Sequence, residues 1–324
     1  MDNSVPSAGR IAFNPAIDPK NRRLDANVVI AIGLIHLACI AAPFCFTWSG
    51  LVLMLFLWWF TGAIGITLCF HRLLTHRSFQ TPKWFEHFLA IVGCLNWQGG
   101  PMRWVGTHRL HHRDSDTECD PHTPRHGFTW AHMLWPLYHD NADFKPYDAV
   151  KDLQRDPVMM KIEKYFFLPQ FILMPILFGL GYLYGQHFHH APLDHTPLFF
   201  AFSWLIWGVA VRTTVGYHGT WFVNSASHVW GYKNFNTHDD SKNNWWVAVL
   251  SFGEGWHNNH HAQQRSAAHG MKWWEFDLTW NTILVLSWFG LATKIVRPKL
   301  PTADKVHSGA NNEAAVEMPA ISAE

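Results

Sequence analysis

The chain has 324 residues and a formal net charge of +1; 48% of its residues are hydrophobic and only 15% are charged. Soluble domains average about 25% charged residues, so an ordinary soluble domain does not fit this composition. The near-neutral charge without a basic run gives no sign of nucleic-acid binding, and a mean hydropathy of −0.06 argues against a chain buried wholly in lipid. The composition therefore predicts membrane helices that carry a sizeable polar cap.

The two ends of the chain are polar. Residues 1–26 lack the apolar core of a secretory signal, so they are interpreted as a polar N-terminal tail. Residues 301–324 are rich in Ala, Glu and Ser, a composition that predicts a disordered C-terminal tail. A single domain is predicted between them, over residues 27–300.

Four stretches are long and apolar enough to cross a hydrocarbon core, which takes about 20 helical residues. They cover residues 28–46, 51–70, 165–184 and 196–217. Residues 85–97 are too few and include Glu86 and His87, so they are expected in the membrane interface. Residues 277–292 are apolar too, but crossing would leave Lys294, Arg297 and Lys299 on the far side. That segment is therefore expected at the interface or packed on the cap.

The distribution of positive charge predicts the orientation of the spans. None of the 25 Lys and Arg residues lies in the loops 47–50 and 185–195. Apart from Arg212, near the inner end of the fourth span, all of them belong to segments on the opposite side. By the positive-inside rule, both termini are cytoplasmic. The predicted fold is an all-α integral membrane protein with four spans in two hairpins under a cytoplasmic helical cap.

Four histidine-rich boxes fall on the predicted cytoplasmic side. They are HRLLTH (71–76), HRLHH (108–112), NSASH (224–228) and HNNHH (257–261). In HxxHH on a helix, the first histidine precedes the others by three and four residues, so all three project from one face. His71 and His76 are five apart, which turns them off a common α-helical face, so they are expected to straddle a helix end. Another histidine-rich stretch, residues 187–195, lies on the far side and is excluded.

These boxes provide too many imidazoles for one metal ion. Imidazole binds Zn, Cu, Fe and Ni, so the ligand type alone does not select the metal. A structural zinc needs four ligands in a closed tetrahedron and has no redox chemistry. The boxes therefore predict a dinuclear redox centre that handles oxygen at one membrane face.

The boxes and their flanks resemble the motifs of a known family. HRLLTHRSF, THRLHH with the following DPH, NSASHVWGYKNF and GEGWHNNHH are similar to the motifs of membrane fatty acid desaturases of the Δ9 (stearoyl/palmitoyl) group, over residues 50–299. The resemblance implies that nine histidines hold two iron ions and that Asn224 reaches one ion through a water. The nine are His71, His76, His108, His111, His112, His228, His257, His260 and His261.

The resemblance also implies the reaction and its partners. O2 serves as co-substrate, and two neighbouring hydrogens are removed from a saturated acyl chain to leave a cis double bond at Δ9. The sequence has no HPGG haem motif and no GxGxxG after a strand, so an external electron donor, ferredoxin or cytochrome b5, is implied. The expected location is a multi-pass protein of the plasma or thylakoid membrane.

The substrate class depends on the residues before the second box. Acyl-CoA enzymes of the family often have Arg-Asp there, in contact with the CoA head group, whereas this chain has Gly106-Thr107. With SKNNWWVA (241–248), this favours acyl-lipid desaturases of cyanobacteria and other bacteria, and an acyl-CoA substrate stays as the alternative. Chain length is expected to depend on Trp58, Trp59 or Phe60, with Trp59 as the first candidate and lipid-facing aromatics as the alternative.

Acids near the boxes are candidates to orient the ligands, since metal-bound histidines usually donate their second nitrogen to a carboxylate. They are Glu254, Asp116 and Asp120, with solvated loop acids as the alternative. Seven further histidines match no metal ligand of the family and are interpreted as structural or surface residues, with His122 expected to brace the second box. They are His122, His126, His132, His139, His218, His238 and His269.

Two competing functions are considered. A di-iron hydroxylase would use the same boxes, but the NSASH and GEGWHNNHH motifs favour the desaturase. A membrane metal transporter would need ligands inside the spans, and the spans contain almost no ionisable residues apart from His36 and Arg212.

Overall fold

A computed structural model describes residues 23–139, 144–188 and 196–299. Nearly all of the predicted polar tail 1–26 and the whole of the predicted disordered tail 301–324 lie outside the described residues. Within these ranges the chain is helical and contains no β-strand, only isolated bridges. The prediction of an all-α fold is therefore confirmed for the described part.

Four helices are long and apolar enough to cross a membrane, as predicted. They are Ala26–Cys45, Trp48–Thr75, Leu168–His187 and Pro197–Val229. The second has 28 residues and the fourth has 33, which at about 1.5 Å per residue is well beyond the roughly 30 Å thickness of a hydrocarbon core. His71 and His228 lie near the C-terminal ends of these two long helices.

The spans are built from several helical types. The first consists of α1 (Ala26–Ala38) and a 3₁₀ segment, Cys39–Cys45, and begins where the side chain of Asp25 accepts hydrogen bonds from the backbone N–H groups of Asn27 and Val28. The second consists of α2 (Trp48–Trp58) and a π-helix, Trp59–Thr75. Such i→i+5 hydrogen bonding is rare and is frequent at functional sites.

The remaining helices follow in chain order. Between the second and third spans lie α3 (Lys83–Cys94), α4 (Pro101–Asp114), α5 (Lys151–Gln154) and α6 (Pro157–Lys164). The third span is α7 (Leu168–His187), and the fourth comprises α8 (Pro197–Leu205), a π segment (Ile206–Val211), α9 (Arg212–Asn224) and α10 (Ala226–Val229). The last three are α11 (Trp245–Leu250), α12 (His257–Ala262) and α13 (Leu278–Trp288). Short 3₁₀ and π segments occupy Pro124–His126, Trp130–Leu134, Trp135–Leu137 and Pro146–Val150.

The fourth span is the central helix of the membrane part, because each of the other three spans packs against it. Close approach depends on Gly208, where an added Cβ would lie 2.8 Å from Leu177 of the third span. Arg212 is fully buried at this junction. Its guanidinium donates to the backbone O of Leu95 at 2.6 Å and to Oε1 of Gln170 at 2.8 Å. One buried side chain thus connects two spans with the segment after α3.

The hydrophobic core next to the histidine boxes lies between the C-terminal half of the second span and the helices α3, α4 and α13. Gly65 and Gly93 allow this packing, since a Cβ on Gly65 would lie 2.6 Å from the Cα of Gly93. Helix α13 packs on the second span, where Oγ1 of Thr279 lies 2.5 Å from Oγ1 of Thr67. This helix is not among the candidate spans, as expected for residues 277–292.

Candidate metal centre

The first box sits at the end of the π-helix. The N–H of His76 donates to the carbonyl of His71 at 3.2 Å, an i→i+5 bond, and their ring centroids are 4.8 Å apart. The expectation that a spacing of five turns these rings away from each other is therefore wrong. A π turn holds more residues than an α turn, so residues five apart come onto nearly the same face. His76 does lie at the helix end, as the C-cap residue.

The second and fourth boxes are helical, as predicted. His108, His111 and His112 occupy the last two turns of α4, and His257, His260 and His261 are in α12. The six residues of α12 are too few for a helix that is stable by itself, so it depends on tertiary contacts.

Those contacts come from the two asparagines inside HNNHH. Oδ1 of Asn258 accepts from the backbone N–H groups of Asn234 and Phe235, both at 2.8 Å. Asn259 is fully buried and donates to Oε2 of Glu275 at 2.8 Å. The asparagines thus fix α12 to the NSASHVWGYKNF segment on one side and to the loop before α13 on the other.

Five imidazoles from three segments bring their ring nitrogens to one point, within 4.8 Å of one another. They belong to His71, His76, His108, His112 and His260. Nε2 of His260 lies 3.0 Å from Nε2 of His71 and 2.9 Å from Nε2 of His112. The Nε2 atoms of His112 and His108 are 3.0 Å apart.

Four more imidazoles converge beside the first group, again within 4.8 Å of one another. They belong to His111, His228, His257 and His261. The Nε2 atoms of His257 and His228 are 3.0 Å apart. Adjacent residues of one helix join different groups, His111 and His112 in α4 and His260 and His261 in α12, so the two groups are neighbours. The structure brings together all nine histidines that the sequence selected.

This geometry fits transition-metal ions. Metal–imidazole bonds are about 2.1 Å long, so two nitrogens bound to one ion at a right angle are about 3.0 Å apart. Two neutral ring nitrogens at that separation share at most one hydrogen. In addition, Nε2 of His76 and Nε2 of His261 are buried and have no hydrogen-bond partner. Buried polar atoms normally have partners, and a metal ion would provide one for each.

Four carboxylates orient rings of these two groups by pairing with Nδ1, the nitrogen on the side away from the convergence point. Nδ1 of His71 lies 2.5 Å from Glu254, and Nδ1 of His111 lies 2.9 Å from Asp120. Nδ1 of His228 lies 3.1 Å from Asp116, and Nδ1 of His261 lies 2.7 Å from Asp239. Each bond fixes a ring and leaves Nε2 for the metal side.

The first three of these acids were selected from the sequence, and the alternative of solvated loop acids is wrong for them because all three are buried. Asp239 was missed. It lies in the segment THDDSK, where nothing distinguishes it from its neighbour Asp240. The side chain of Asp240 is 51% exposed and pairs with Arg125.

Glu254 has further partners that sequence reasoning missed. Arg72, next to His71 and fully buried, donates to Oε1 of Glu254 at 2.9 Å and to Asp277 at 2.9 Å. Nδ1 of His269 lies 3.1 Å from Oε2 of Glu254. His269 is fully buried, and its ring centroid is 4.4 Å from that of His260, so it is not a surface residue. In the sequence, the signal for a buried ion pair with Glu254 was Arg72, the arginine inside HRLLTH.

Burial keeps most of the cluster neutral. It holds the pKa well below the usual 6.5 for five histidines, and neighbouring imidazoles add to the effect; they are His76, His108, His112, His257 and His260. Neutral imidazole is the form that binds metal. For His111, burial also lowers the pKa, but the Asp120 carboxylate outweighs it and the pKa is raised. Burial would raise the pKa of Asp120, yet His111 and His122 hold it well below its usual range.

A cavity reaches from the metal-ligand candidates toward the membrane part. Its lining includes His71, His108, Asn224 and His257 at one end and Trp58 and Phe252 at the other. Asn224 thus lies beside the histidines, at the last residue of α9. Trp59, the predicted chain-length residue, does not line the cavity; its ring packs against Phe56 and Phe60. The ring at the cavity wall is that of Trp58.

The other histidines do not join the two groups. His122 is buried with its ring centroid 4.3 Å from that of His111, which agrees with a bracing role. His126 pairs with Glu118, His139 pairs with Asp25, and His238 is exposed. His132 and His218 hydrogen-bond to each other at 2.9 Å.

Four long apolar helices and two groups of buried imidazoles define a membrane protein with a histidine-rich metal site. The family model for fatty acid desaturases matches residues 46–285. The chain therefore belongs to the fatty acid desaturase family, and it is an oxidoreductase, as the four motifs predicted.

Three relatives from cyanobacteria are similar over most of their length. The sn-1 stearoyl-lipid 9-desaturase of Anabaena variabilis is 47% identical, over 83% of this chain and 92% of the relative. The sn-2 palmitoyl-lipid 9-desaturase of Nostoc sp. (strain 36) is 41% identical, over 89% and 95%. The sn-1 stearoyl-lipid 9-desaturase of Synechocystis sp. is 44% identical, over 84% and 80%.

Proposed function

We propose that the protein is an O2-dependent desaturase that introduces a cis double bond at Δ9 of a saturated acyl chain in a membrane glycerolipid. The observation that carries the proposal is the nine-imidazole cluster at the end of a cavity that extends toward the membrane helices. The names of the cyanobacterial relatives support both the position of the double bond and the lipid-linked substrate.

The proposed cofactor is a pair of iron ions. One ion would be held by the five-histidine group and the other by the four-histidine group, with Asn224 contributing through a water. When bound, the irons supply the oxygen-dependent removal of hydrogen. The chain's own residues hold and orient the ligands through buried carboxylates, and the cavity walls hold the acyl chain beside them.

The packing of the second box supports a lipid-linked substrate over acyl-CoA. Gly106 stands where many acyl-CoA enzymes have arginine. A Cβ added to Gly106 would lie 2.1 Å from the carbonyl oxygen of Pro146. An arginine therefore cannot occupy this position unless α4 moves away from the segment Pro146–Val150, against which it packs. A CoA head group would lack the contact that those enzymes supply.

The proposed topology places two hairpins below a cytoplasmic cap. The distribution of Lys and Arg supports this orientation. Exposed apolar residues on α3, namely Trp84, Phe88 and Ile91, form one stripe at helical spacing, which supports a location in the membrane interface. Electrons would arrive from an external donor, ferredoxin or cytochrome b5, on the cap side. The proposed location is the plasma or thylakoid membrane.

The test is expression of the full chain with a ferredoxin system in a bacterial host that lacks Δ9 desaturation. Intact glycerolipids and acyl-CoA are separated, and double bonds are located by mass spectrometry. New cis-Δ9 bonds that appear first in glycerolipids, and not with a His260→Ala control, are the expected result. First appearance in acyl-CoA would overturn the lipid-linked substrate, and hydroxylated chains would overturn desaturation.

A further inference from the structure

Phe252 has a backbone conformation that bulky residues rarely adopt. Its φ is +58°, in the left-handed region. Strain of this kind persists where the surroundings enforce it, often at functional sites. The side chain is buried and lines the cavity, and the residue lies two positions before Glu254, which supports His71.

Contacts on both sides of the loop enforce this conformation. The carbonyl of Phe252 accepts hydrogen bonds from the backbone N–H of Thr279 at 3.1 Å and from its hydroxyl at 2.9 Å. That hydroxyl also lies 2.5 Å from Oγ1 of Thr67 on the second span. The next residue is Gly253, with φ +117°. The loop is thus held between α13 and the second span, so the backbone of Phe252 cannot move away without breaking these bonds.

The ring of Phe252 rests on the second span. A Cβ added to Gly62 would lie 2.7 Å from Cε2 of Phe252, so only glycine leaves room for the ring. The centroids of the Phe252 and Trp58 rings are 4.9 Å apart. All three residues line the cavity. Two aromatic rings therefore meet in the part of the cavity lined by the second span before Ile66.

The position of this ring pair corresponds to the end of an acyl chain. Gly62 precedes His71 by nine residues, which at the α-helical rise of about 1.5 Å is at most about 13 Å along the span. That length is comparable with the extended carbons that follow C9 in a palmitoyl or stearoyl chain. A chain with C9 beside the histidines would thus bring its methyl end to these rings.

We propose that the Phe252 ring, seated on Gly62 and against Trp58, is the stop that limits the length of the acyl chain beyond the metal centre. The inference rests on the proposed function, since it takes the cavity as the acyl site. Half of the stop comes from the loop that carries Glu254, so chain length is set by this loop as well as by the second span.

The test uses the full chain in the same bacterial host, supplied with 16:0, 18:0 and 20:0 acids. The measured quantity is the ratio of longer to shorter Δ9 products. Phe252→Gly removes the ring and relieves the backbone strain, so the ratio is expected to rise by about tenfold or more, the discrimination that an apolar pocket wall gives. Gly62→Ala pushes the ring into the cavity and is expected to lower the ratio.

Trp59→Ala is the matched control, because its ring lies outside the cavity on the same span; its ratio is expected to equal that of the wild type. Phe252→Leu is measured in parallel and is expected to give an intermediate ratio. If Phe252→Gly is inactive, an unchanged ratio in Phe252→Leu overturns the proposal. An unchanged ratio in both active Phe252→Gly and Gly62→Ala overturns it as well. Absence of double bonds from the wild type would instead overturn the proposed function.

Discussion

The protein contains two sets of buried or half-buried histidines, and the sets differ in what their ring nitrogens contact. In the metal-centre cluster, nine rings point their nitrogens at two shared positions. In the second set, which we call the outer chain, His36, His132 and His218 form a line in which each ring nitrogen has its own partner. The sequence shows histidines in both, but only the cluster has the geometry of a metal site.

The outer chain can be followed bond by bond. Nδ1 of His36 lies 2.8 Å from the carbonyl of Ile32, and its Nε2 lies 3.3 Å from Nε2 of His218. Nδ1 of His218 lies 2.9 Å from Nε2 of His132. Nδ1 of His132 lies 3.1 Å from Oγ of Ser225, whose hydroxyl is 2.9 Å from the carbonyl of Trp221.

The number of available hydrogens explains why the three histidines of the outer chain need no metal ion. Three neutral rings and one hydroxyl supply four hydrogens for the five links between the carbonyls of Ile32 and Trp221. All but one link can therefore be hydrogen-bonded, and the longest link, at 3.3 Å, is between His36 and His218. In the cluster, by contrast, several ring nitrogens meet where each pair can share at most one hydrogen, and five buried nitrogens have no hydrogen-bond partner: Nε2 of His76 and His261, and Nδ1 of His112, His257 and His260. Convergent nitrogens without partners, and not histidine number, mark the metal site.

The largest expected effect is the difference between mutating a histidine of the metal-centre cluster and mutating a histidine of the outer chain. His260→Ala removes a nitrogen that lies within 3.0 Å of two other ring nitrogens. We expect desaturase activity and metal affinity to fall by more than about 100-fold, which is the largest loss typical of mutating residues that only support metal ligands. His218→Ala should keep both. Metal content by mass spectrometry and lipid products are measured together, and metal loss in His218→Ala would contradict the distinction.

The next effect concerns the carboxylates behind the rings. Asp239→Asn weakens the support of His261, so metal affinity is expected to fall by about 10–100-fold. The adjacent Asp240→Asn is the matched control, because its side chain is exposed and bonded to Arg125, and should leave affinity unchanged. Competition with a chelator measures both. Equal affinities for the two variants would show that Asp239 does not support the centre.

The third effect is a pH dependence of the metal-free protein. Burial lowers the pKa of His76, His108 and His112 in the folded state, whereas in the unfolded chain these rings accept protons near pH 6.5. Below that pH the unfolded state binds more protons, so the free energy of unfolding falls as the pH falls. Thermal unfolding in detergent from pH 8 to pH 5 measures this.

The same titration contains an internal check. The raised pKa of His111 acts in the opposite direction, but one ring does not offset the lowered group. A metal-loaded sample should lose less stability over the range where the ion stays bound, because bound rings do not accept protons. A melting temperature that stays constant or rises toward pH 5 in the metal-free protein would contradict the neutral state of the cluster.

The smallest effect belongs to the outer chain. His218→Ala removes the hydrogen bond to Nε2 of His132 and the longer contact with Nε2 of His36, which leaves the His132 nitrogen without a partner. Unpaired buried groups cost about 1–3 kcal/mol each, and the half-buried position of His218 places the effect at the lower end. A fall in melting temperature at unchanged metal content is expected. Full stability of the variant would show that the chain of hydrogen bonds contributes nothing to the packing of the first and fourth spans.

Much of the site was predictable from the sequence because its signals are local. The spacing of HRLHH and HNNHH selects one helical face, and both boxes are helical as expected. His71 and His76 were less predictable, since nothing in the sequence showed that this segment forms a π-helix and not an α-helix. Asp239 and His269 were not found, because their partners His261 and Glu254 are joined to them only by folding.

The sequence by itself determined the four spans, the nine candidate ligands and the family, because hydrophobic length and box spacing are properties of neighbouring residues. The tertiary structure alone decided which nitrogens converge, which acids stand behind them and which aromatic ring meets the cavity. Trp58 and Trp59 are alike in the sequence, yet only Trp58 lines the cavity. The difference arises from contacts such as Phe252 on Gly62, which join residues far apart in the chain.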